Sequence, residues 1–374
     1  MTTPAKAVFL FNLLQDVNIL RPLVFIARDL DLRPEMMVSS QFLVRDKSGQ
    51  WARELNEIAN ATGSPILVYE DAADAMQLLP SGGGALVAAS ESNLSAHAQT
   101  HDVMRVAPAN FLKITLQHGF ECVGFLQSRD HDTAHGRSVG FGSDVLCGWF
   151  DGERMASMTP SQRSKLYVTG PTAVLQMRQA AAERPRASSG IVCENLHSVR
   201  LNIAGDFKTA FMAIFDDFCK ALAAEDRPVT LRPHPGGQYV LKNDVPLQPN
   251  VTLNNNPVYK VDLAKYAYGI SAPSSVLIDM VLAGIPVGVW RGESGKMDAG
   301  NYAGLTEIST LGDWIDFSKE AGEHPDRFLD RQADFLEKQL MITDPKEVQA
   351  RFIRLFRSAG HVAAAARARR SSSA

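Results

Sequence analysis

The sequence predicts an α/β protein with two Rossmann-like domains that face a central cleft. Short apolar segments alternate with segments of helical periodicity along most of the chain, which is typical of a parallel sheet covered by helices on both faces. The segment RQAAAERPRASSG, residues 178–190, is polar, contains proline, serine and glycine, and separates two such series. The length of 374 residues also favours two domains over one.

The first domain is expected to cover residues 1–177 and to begin with the apolar strand AVFLFNLL. A helix with an early proline, ILRPLVFIARDL, and a helix that ends on glycine, WARELNEIANATG, follow the first two strands. The predicted strands of this domain are residues 7–14, 35–44, 65–71, 85–90, 111–119, 143–149 and 165–171.

The second domain is expected to cover residues 190–335 and to repeat the alternation of strands and helices. Its predicted strands are residues 190–195, 227–235, 266–271 and 285–290, and its clearest helices are residues 207–224 and 274–284.

The remaining residues, 336–374, are predicted to form a C-terminal helix and a basic tail. From Asp344 onwards, apolar residues such as Phe352 and Phe356 alternate with arginines. Such a face can pack back on the first domain or lie on an anionic membrane surface, and we favour packing. The final AAAARARRSSSA is expected to be disordered, and any attraction to an inner membrane is expected there.

The composition excludes several classes of function. A net charge of −3 gives no reason to expect a nucleic-acid partner. The four cysteines lie far apart without a CxxC pair, which argues against a zinc ribbon or a disulfide scaffold and suits a reducing cytoplasm. No segment approaches the ~20 apolar residues of a membrane helix. We therefore expect a cytoplasmic protein that is at most peripheral on the inner membrane.

The stretch TLRPHPGGQY, residues 230–239, places Arg232 and His234 between prolines at the end of a predicted strand. Proline restricts its own φ and favours extended backbone in the residue before it, so both side chains are held at the strand end. Open α/β sheets bind ligands at the carboxyl ends of their strands. The stretch therefore predicts a binding element.

A second polar cluster, Pro273-Ser274-Ser275, begins a helix after the strand that ends at Ser271. The free N–H groups and the dipole of a helix N-terminus attract anions, and serine hydroxyls add donors. Because both clusters follow strands of the same predicted sheet, we expect them to form one phosphate site. The alternative is that the two serines merely cap the helix.

These motifs also carry a resemblance to a known family. RPHP, followed further along by S-x-x-SSV-x-x-D-x-x-x-x-G-x-P, resembles the donor-binding half of GT-B glycosyltransferases over residues 227–290. The likeness is greatest to CDP-glycerol glycerophosphotransferases and to Kdo (3-deoxy-manno-octulosonate) transferases of bacterial capsule and lipopolysaccharide. It implies that His234, Ser274 and Ser275 contact the donor phosphate beside Arg232, with no metal or other cofactor. It also implies that Asp279 orients the loop or the nucleotide.

In the first domain, KITLQHGFE, residues 113–121, is similar to the His-Gly turn that faces the cleft in this superfamily. In the glycerophosphotransferases the corresponding histidine is the proposed base, which falls on His118. This chain has LQHGFE where they carry an HGT-type turn, and the alternative is a structural histidine bonded to its own turn. Glu121 in the same segment is a candidate for substrate binding.

The second domain opens with CENLHSVRLN, residues 193–202, at the end of a predicted strand. Retaining Kdo transferases are similar in placing an essential acidic residue near this point, which here falls on Glu194 as nucleophile or base. The alternative is a glutamate that caps a helix or forms an interdomain salt bridge. Candidate substrate-binding residues at the same mouth are Asn195, His197 and Arg200.

The segment HDTAH, residues 131–135, has two histidines four residues apart, a spacing that on a helix can hold a metal. Gly136, Gly140 and Gly142 follow it, so we predict a loop and no metal site.

Together the motifs predict a glycosyltransferase that moves a sugar from a nucleotide-activated donor, for which CMP-Kdo is the first candidate. The acceptor is expected to be a growing lipopolysaccharide or capsule glycan, free or lipid-linked. Alternatives are a CDP-glycerol glycerophosphotransferase, a UDP-sugar transferase, a UDP-N-acetylglucosamine 2-epimerase and a non-catalytic nucleotide- or glycan-binding domain. Stereochemistry stays open, since Glu194 as nucleophile predicts retention and His118 as base predicts inversion.

Overall fold

The computed structural model describes residues 5–30, 32–177, 189–198, 201 and 207–372. Within them the chain forms two parallel sheets, one of seven strands and one of six. The predicted α/β class with two Rossmann-like domains is therefore confirmed.

The first sheet has the strand order β3-β2-β1-β4-β5-β6-β7. In its centre Phe9 pairs with Met36 on one side and with Val87 on the other, and all three are buried. The strands are β1 (Lys6–Phe11), β2 (Pro34–Ser39), β3 (Ile66–Tyr69), β4 (Gly84–Ala88), β5 (Phe111–Leu116), β6 (Val145–Gly148) and β7 (Leu166–Val168).

Helices cover both faces of this sheet, as near-continuous apolar strands require. They are α1 (Asp16–Asp29), α2 (Ser40–Arg45), α3 (Gln50–Thr62), α4 (Ala72–Leu78), α5 (Ala98–Val106), α6 (Arg129–His135) and α7 (Pro160–Arg163). α1 and α3 belong to a core cluster on one face, whereas α4 and α5 belong to a cluster on the other.

The second sheet has the strand order β10-β9-β8-β11-β12-β13. Its strands are β8 (Gly190–Glu194), β9 (Val229–Pro233), β10 (Val251–Leu253), β11 (Tyr268–Ser271), β12 (Val287–Trp290) and β13 (Thr306–Ile308). The direction of winding reverses between β8 and β11, and such a switch point opens a crevice at the carboxyl ends of the strands.

The helices of the second half and the C-terminal helix complete the described residues. They are α8 (Phe207–Ala223), α9 (Tyr239–Lys242), α10 (Ser275–Leu282), α11 (Leu311–Glu323), α12 (Asp326–Gln339) and α13 (Pro345–Ser372). Aromatic edge-to-face contacts hold α8 and α11 against the sheet, for example Phe211 with Trp290 and with Trp314.

The C-terminal helix α13 packs on the first sheet, as favoured from the sequence. Val348, Phe352 and Phe356 are buried in the same cluster as β1 and α1. The prediction of a disordered tail is wrong, because α13 continues to Ser372. Alanines favour the helix, and the Arg367 guanidinium donates to the Gly82 carbonyl at 2.9 Å, which anchors it on the first domain.

Two further local predictions are corrected by helix caps. The predicted strand 35–44 ends at Ser39, whose Oγ accepts a bond from Phe42 N–H at 3.1 Å and starts α2. The predicted loop 131–135 is the end of helix α6, which Ser128 caps: its Oγ accepts from His131 N–H, and the His131 ring accepts from Ser128 N–H.

In the part of the chain that the structure describes, no helix combines the length and apolar character that crossing a bilayer requires.

Candidate functional site

A cleft of about 700 Å³ lies between the two sheets, at the carboxyl ends of their strands. Contacts between the two halves hold them together at more than one point. Tyr259 and Lys260 of the second half donate to the two carboxylate oxygens of Glu54 in α3. At another point Arg154 donates twice to the Gln339 side chain at the end of α12.

Arg232 lines this cleft from the end of β9. Its side chain is 5% exposed, and Nη2 donates to the Asn256 carbonyl at 3.3 Å. Its Nε is buried and has no hydrogen-bond partner among the described residues. The guanidinium places a permanent positive charge in the cleft wall, and such a charge attracts an anionic ligand.

His234 also lines the cleft, and its ring is neutral. Burial holds its pKa well below the ordinary value, and His197 and Arg232 lower it further. Its Nδ1 accepts from Gly236 N–H at 3.1 Å, so the neutral ring carries its proton on Nε2. The ring stacks on His197, with centroids 3.8 Å apart. His234 can therefore donate a hydrogen bond through its Nε2–H.

Ser274 and Ser275 stand at the N-terminus of α10 and line the cleft. The Ser274 side chain makes no capping bond to its own helix, so the simple capping alternative does not describe it. Ser275 Oγ accepts a bond from Phe120 N–H of the first domain at 2.8 Å. The helix N-terminus and the two hydroxyls therefore face the cleft where the domains meet.

Asp279 lies one turn further along α10 and also lines the cleft. Burial raises its pKa to about 7, while the positive charge of Arg232 acts in the opposite direction. Near neutral pH its carboxyl group is therefore partly protonated, which reduces its repulsion of a bound anion.

The predicted residues at the mouth of the second domain are placed as follows. Asn195 lines the cleft, and its Nδ2 donates to the Pro273 carbonyl at 2.9 Å, which ties the β8 end to the α10 start. His197 lines the cleft beside His234. Arg200 lies outside the described residues.

Glu194 does not line the cleft, which corrects its prediction as nucleophile. The residue is 1% exposed at the end of β8, and its two carboxylate oxygens accept from the N–H groups of Tyr239 and Val240 at 3.1 and 3.2 Å. It therefore caps the short helix α9, which is the structural alternative that the sequence left open.

The capping role of Glu194 makes a prediction about stability. Burial raises the pKa of Glu194 to about 7, so the folded protein keeps a proton there that the unfolded chain releases near pH 4.5. The stabilisation that this bound proton gives the folded protein is full below pH 4.5 and is lost as the pH rises through about 7. The free energy of unfolding of Glu194→Gln, relative to that of the native protein, should therefore increase by on the order of 3 kcal/mol between pH 4 and pH 8. Urea unfolding at both pH values checks this, and a pH-independent difference would contradict it.

The first-domain wall of the cleft contains His118, directly after β5. Its Nδ1 lies 3.4 Å from Cys122 Sγ, and the ring hydrogen-bonds the Ala89 backbone. Burial lowers the pKa of His118 to about 4, so the ring is neutral. These bonds to its own turn and to the residue that follows β4 favour the structural alternative over the role of base.

Glu121 is the carboxylate of this turn that lines the cleft. Its Oε1 accepts from Asn301 Nδ2 of the second half at 2.9 Å, which fixes its orientation across the domain boundary. Glu121 is a substrate-binding candidate from the sequence. His131 and His135 are not predicted site residues, yet they stack with centroids 6.4 Å apart and line the same wall. The Ser128-x-x-His131 capping pattern was the signal that could have placed them on a helix.

No group of three or more histidine, cysteine, aspartate or glutamate side chains within the described ranges is arranged to hold a metal ion.

No protein-family model matches the sequence, and no curated protein matches it. Solved structures are similar over nearly the whole chain. The wall teichoic acid polymerase TagF has a TM-score of 0.57 at 11% identity, covering 96% of this chain and 90% of that one. The UDP-GlcNAc 2-epimerase from Neisseria meningitidis, solved with UDP-GlcNAc bound, has a TM-score of 0.54 at 10% identity over 93% and 99%. The calicheamicin glycosyltransferase CalG4 has 0.51 at 12% identity over 93% and 99%.

The chain has the GT-B fold. At these identities the likeness concerns the fold, and the GT-B cleft of this chain must be interpreted from its own side chains.

Proposed function

We propose that the protein transfers a glycosyl group from a nucleotide-activated donor, with the donor phosphate held at the α10 N-terminus. The observation that carries this proposal is that the positive charge of Arg232 lines the same cleft as Ser274 and Ser275 at the start of α10, where Ser274 makes no capping bond to its own helix. The likeness to structures named as a glycosyltransferase and a teichoic acid polymerase supports it.

The groups that hold the donor phosphate contribute different amounts of binding free energy. A charge-assisted bond from Arg232 contributes about 1.5–3 kcal/mol, and the neutral Nε2–H of His234 about 0.5–1.5 kcal/mol. The α10 dipole adds roughly 0.3–1 kcal/mol. These groups also stabilise the charge that develops on the leaving phosphate, which is the task that a metal ion performs in other transferases.

For the chemical step we propose a single displacement with inversion. The acceptor oxygen forms a bond to the anomeric carbon, the bond from that carbon to the phosphate oxygen breaks, and its electron pair stays on the phosphate. Glu121 takes the acceptor proton, because its carboxylate lines the cleft and Asn301 orients it. Glu194, the candidate for retention, does not reach the cleft from its position under α9.

The identity of the sugar rests on the sequence resemblance. The RPHP and PSSV motifs favour CMP-Kdo as donor and a lipopolysaccharide or capsule glycan as acceptor, with CDP-glycerol or a UDP-sugar as alternative donors. We place this reaction on the cytoplasmic side of the inner membrane, where such donors are made and where a lipid-linked acceptor is reached by peripheral contact.

A second candidate is epimerisation of a nucleotide sugar without an acceptor. The cleft contains three carboxylate side chains from both halves, Glu121, Asp262 and Asp279, and proton transfer at a sugar carbon uses such groups. The likeness to a UDP-GlcNAc 2-epimerase supports it equally. A non-catalytic nucleotide- or glycan-binding protein is the third candidate.

A nucleotide screen in EDTA tests the proposal. CMP, CDP, UDP and GDP are added in turn, and we expect one of them to raise the unfolding temperature, because ligands that bind the native state stabilise it. The corresponding sugar donor is then incubated with and without acceptor glycan.

Product that requires the acceptor and forms in EDTA supports metal-independent transfer. A changed sugar without acceptor identifies the epimerase, and binding without turnover identifies the non-catalytic protein. Loss of activity in EDTA that magnesium or manganese restores would contradict the metal-independent site.

A further inference from the structure

A backbone turn of the first domain, residues 117–120, docks on the N-terminus of α10 in the second domain. The geometry points to Gly119 and Phe120 as positioning residues that aim the Ser275 hydroxyl at the donor when the domains close. This inference rests on the proposed function in that it assigns a phosphate-bearing donor to the α10 N-terminus.

The contact between the domains is direct. Phe120 N–H donates to Ser275 Oγ at 2.8 Å. A Cβ on Gly119 would lie 2.4 Å from the same oxygen, well inside van der Waals contact. The turn therefore reaches Ser275 because position 119 lacks a side chain.

The first domain holds this turn in place with the Gln117 side chain. Gln117 Nε2 donates to the carbonyls of Gly119 and Phe120 at 2.9 and 3.0 Å, and its Oε1 accepts from Trp149 N–H at 2.9 Å. Gln117 is 2% exposed, and its amide is thus bonded on both sides within β5, β6 and the turn. The Phe120 N–H is consequently presented in a fixed direction.

The Phe120 ring adds an apolar anchor in the second domain. It is fully buried, and its centroid lies 5.1 Å from Tyr302 and 5.9 Å from Phe335. On its own domain it packs on Phe150 at 5.5 Å. Separation of the domains would expose this ring to water, so the docked turn stabilises the closed cleft.

Docking changes what the Ser275 hydroxyl can do. A serine hydroxyl has one proton to donate, and here its oxygen already accepts from Phe120 N–H. The proton must therefore lie away from the turn, and Ser275 lines the cleft. In an open cleft the hydroxyl would rotate freely. Closure thus sets the direction of the Ser275 donor and, in the same movement, brings Glu121 beside the phosphate site.

The test is Gly119→Ala, because the added methyl group either displaces the turn or forces Ser275 Oγ to rotate away from Phe120 N–H. We expect the nucleotide dissociation constant, measured by calorimetry, to change less than about twofold, because the phosphate contacts of Arg232 and His234 lie in the second domain. We expect kcat to fall roughly 10- to 100-fold, the scale of a small misplacement of reacting groups. The control is Gly140→Ala, a first-domain glycine whose Cβ would meet nothing within 4 Å.

Ser274→Ala separates positioning from phosphate contact, since the hydrogen bond from the turn goes to Ser275 Oγ. This variant should weaken nucleotide binding while domain closure, followed by small-angle X-ray scattering, stays as in the native protein. Gly119→Ala should show the opposite pattern, with native affinity and a larger radius of gyration in the presence of nucleotide.

Native kcat together with native scattering in Gly119→Ala would overturn the inference. If the native protein binds no nucleotide, the proposed function fails. The scattering comparison of Gly119→Ala with native and Gly140→Ala proteins then still decides whether the turn holds the domains closed.

Discussion

Replacing Glu121 by glutamine should lower the rate of glycosyl transfer by at least about 10²-fold, with little change in nucleotide affinity, because an amide cannot accept the acceptor proton. The side chain faces the cleft from the turn that docks on α10, and Asn301 fixes its direction. Glutamine keeps the size of the side chain and can still accept from Asn301 Nδ2, so the loss isolates the missing charge and basicity.

The matched control is Glu194→Gln, the same substitution at a buried glutamate that lies outside the cleft wall. We expect this variant to transfer at close to the native rate. Initial rates at saturating donor and acceptor, with nucleotide affinity measured separately, distinguish a chemical defect from a binding defect. The low-pH limb of kcat/KM should also disappear in Glu121→Gln, since that limb reports the ionisation of the base.

Other results of these rate measurements would assign the catalytic role to a different residue. Native transfer by Glu121→Gln, together with a large loss in His118→Asn, would make His118 the base and contradict our assignment. A large loss in Glu194→Gln with normal unfolding would restore the retaining mechanism, since the capping role in α9 does not explain such a loss.

That Arg232, His234, Ser274 and Ser275 meet in one cleft could be predicted from the sequence, because it depends on topology. Arg232 and His234 lie at the end of β9, and Ser274 and Ser275 follow β11, so parallel strands bring both clusters to one edge of the sheet. Neither strand needs to neighbour the other, since β8 lies between them. Apolar strands with turn residues after them are enough for this inference.

The direction of the Glu194 side chain could not be predicted in the same way. Side chains alternate along a strand, so Glu194 shares a face of β8 with Val192 and not with Cys193. Val192 packs with the cluster around α8, whereas Cys193 packs with the cluster that contains α10. The alternation is visible in the sequence, but which face turns toward the cleft depends on helices placed by later segments.

The contact between the two domains also could not be predicted from the sequence. Nothing in LQHGFE shows that the Gly119 position faces Ser275, because a close approach between distant residues is a property of the assembled domains. The helical position of His131 and His135 was not predicted, for a different reason. Gly136, Gly140 and Gly142 predict a loop in the sequence, but they follow a helix that ends at His135.

Replacing Arg232 by methionine should raise the nucleotide dissociation constant roughly 10- to 100-fold and lower kcat/KM by about 10³-fold, because the lost charge-assisted bonds strengthen as the phosphate leaves. Methionine fills much of the buried volume, so packing at the β9 end is largely kept. The control is Arg227→Met, which removes an equal charge at the opposite end of β9, where Arg227 donates to the Ser318 carbonyl.

The physical reason lies in the position of the Arg232 charge. One nitrogen of the guanidinium bonds the Asn256 carbonyl, and the side chain lines the cleft. A phosphate bound in the cleft is therefore attracted by a positive charge that does not titrate. Calorimetry with the nucleotide found in the screen measures the change. If Arg232→Met and Arg227→Met bind that nucleotide equally well, the phosphate does not lie at Arg232, and the cleft must hold its ligand elsewhere along the α10 wall.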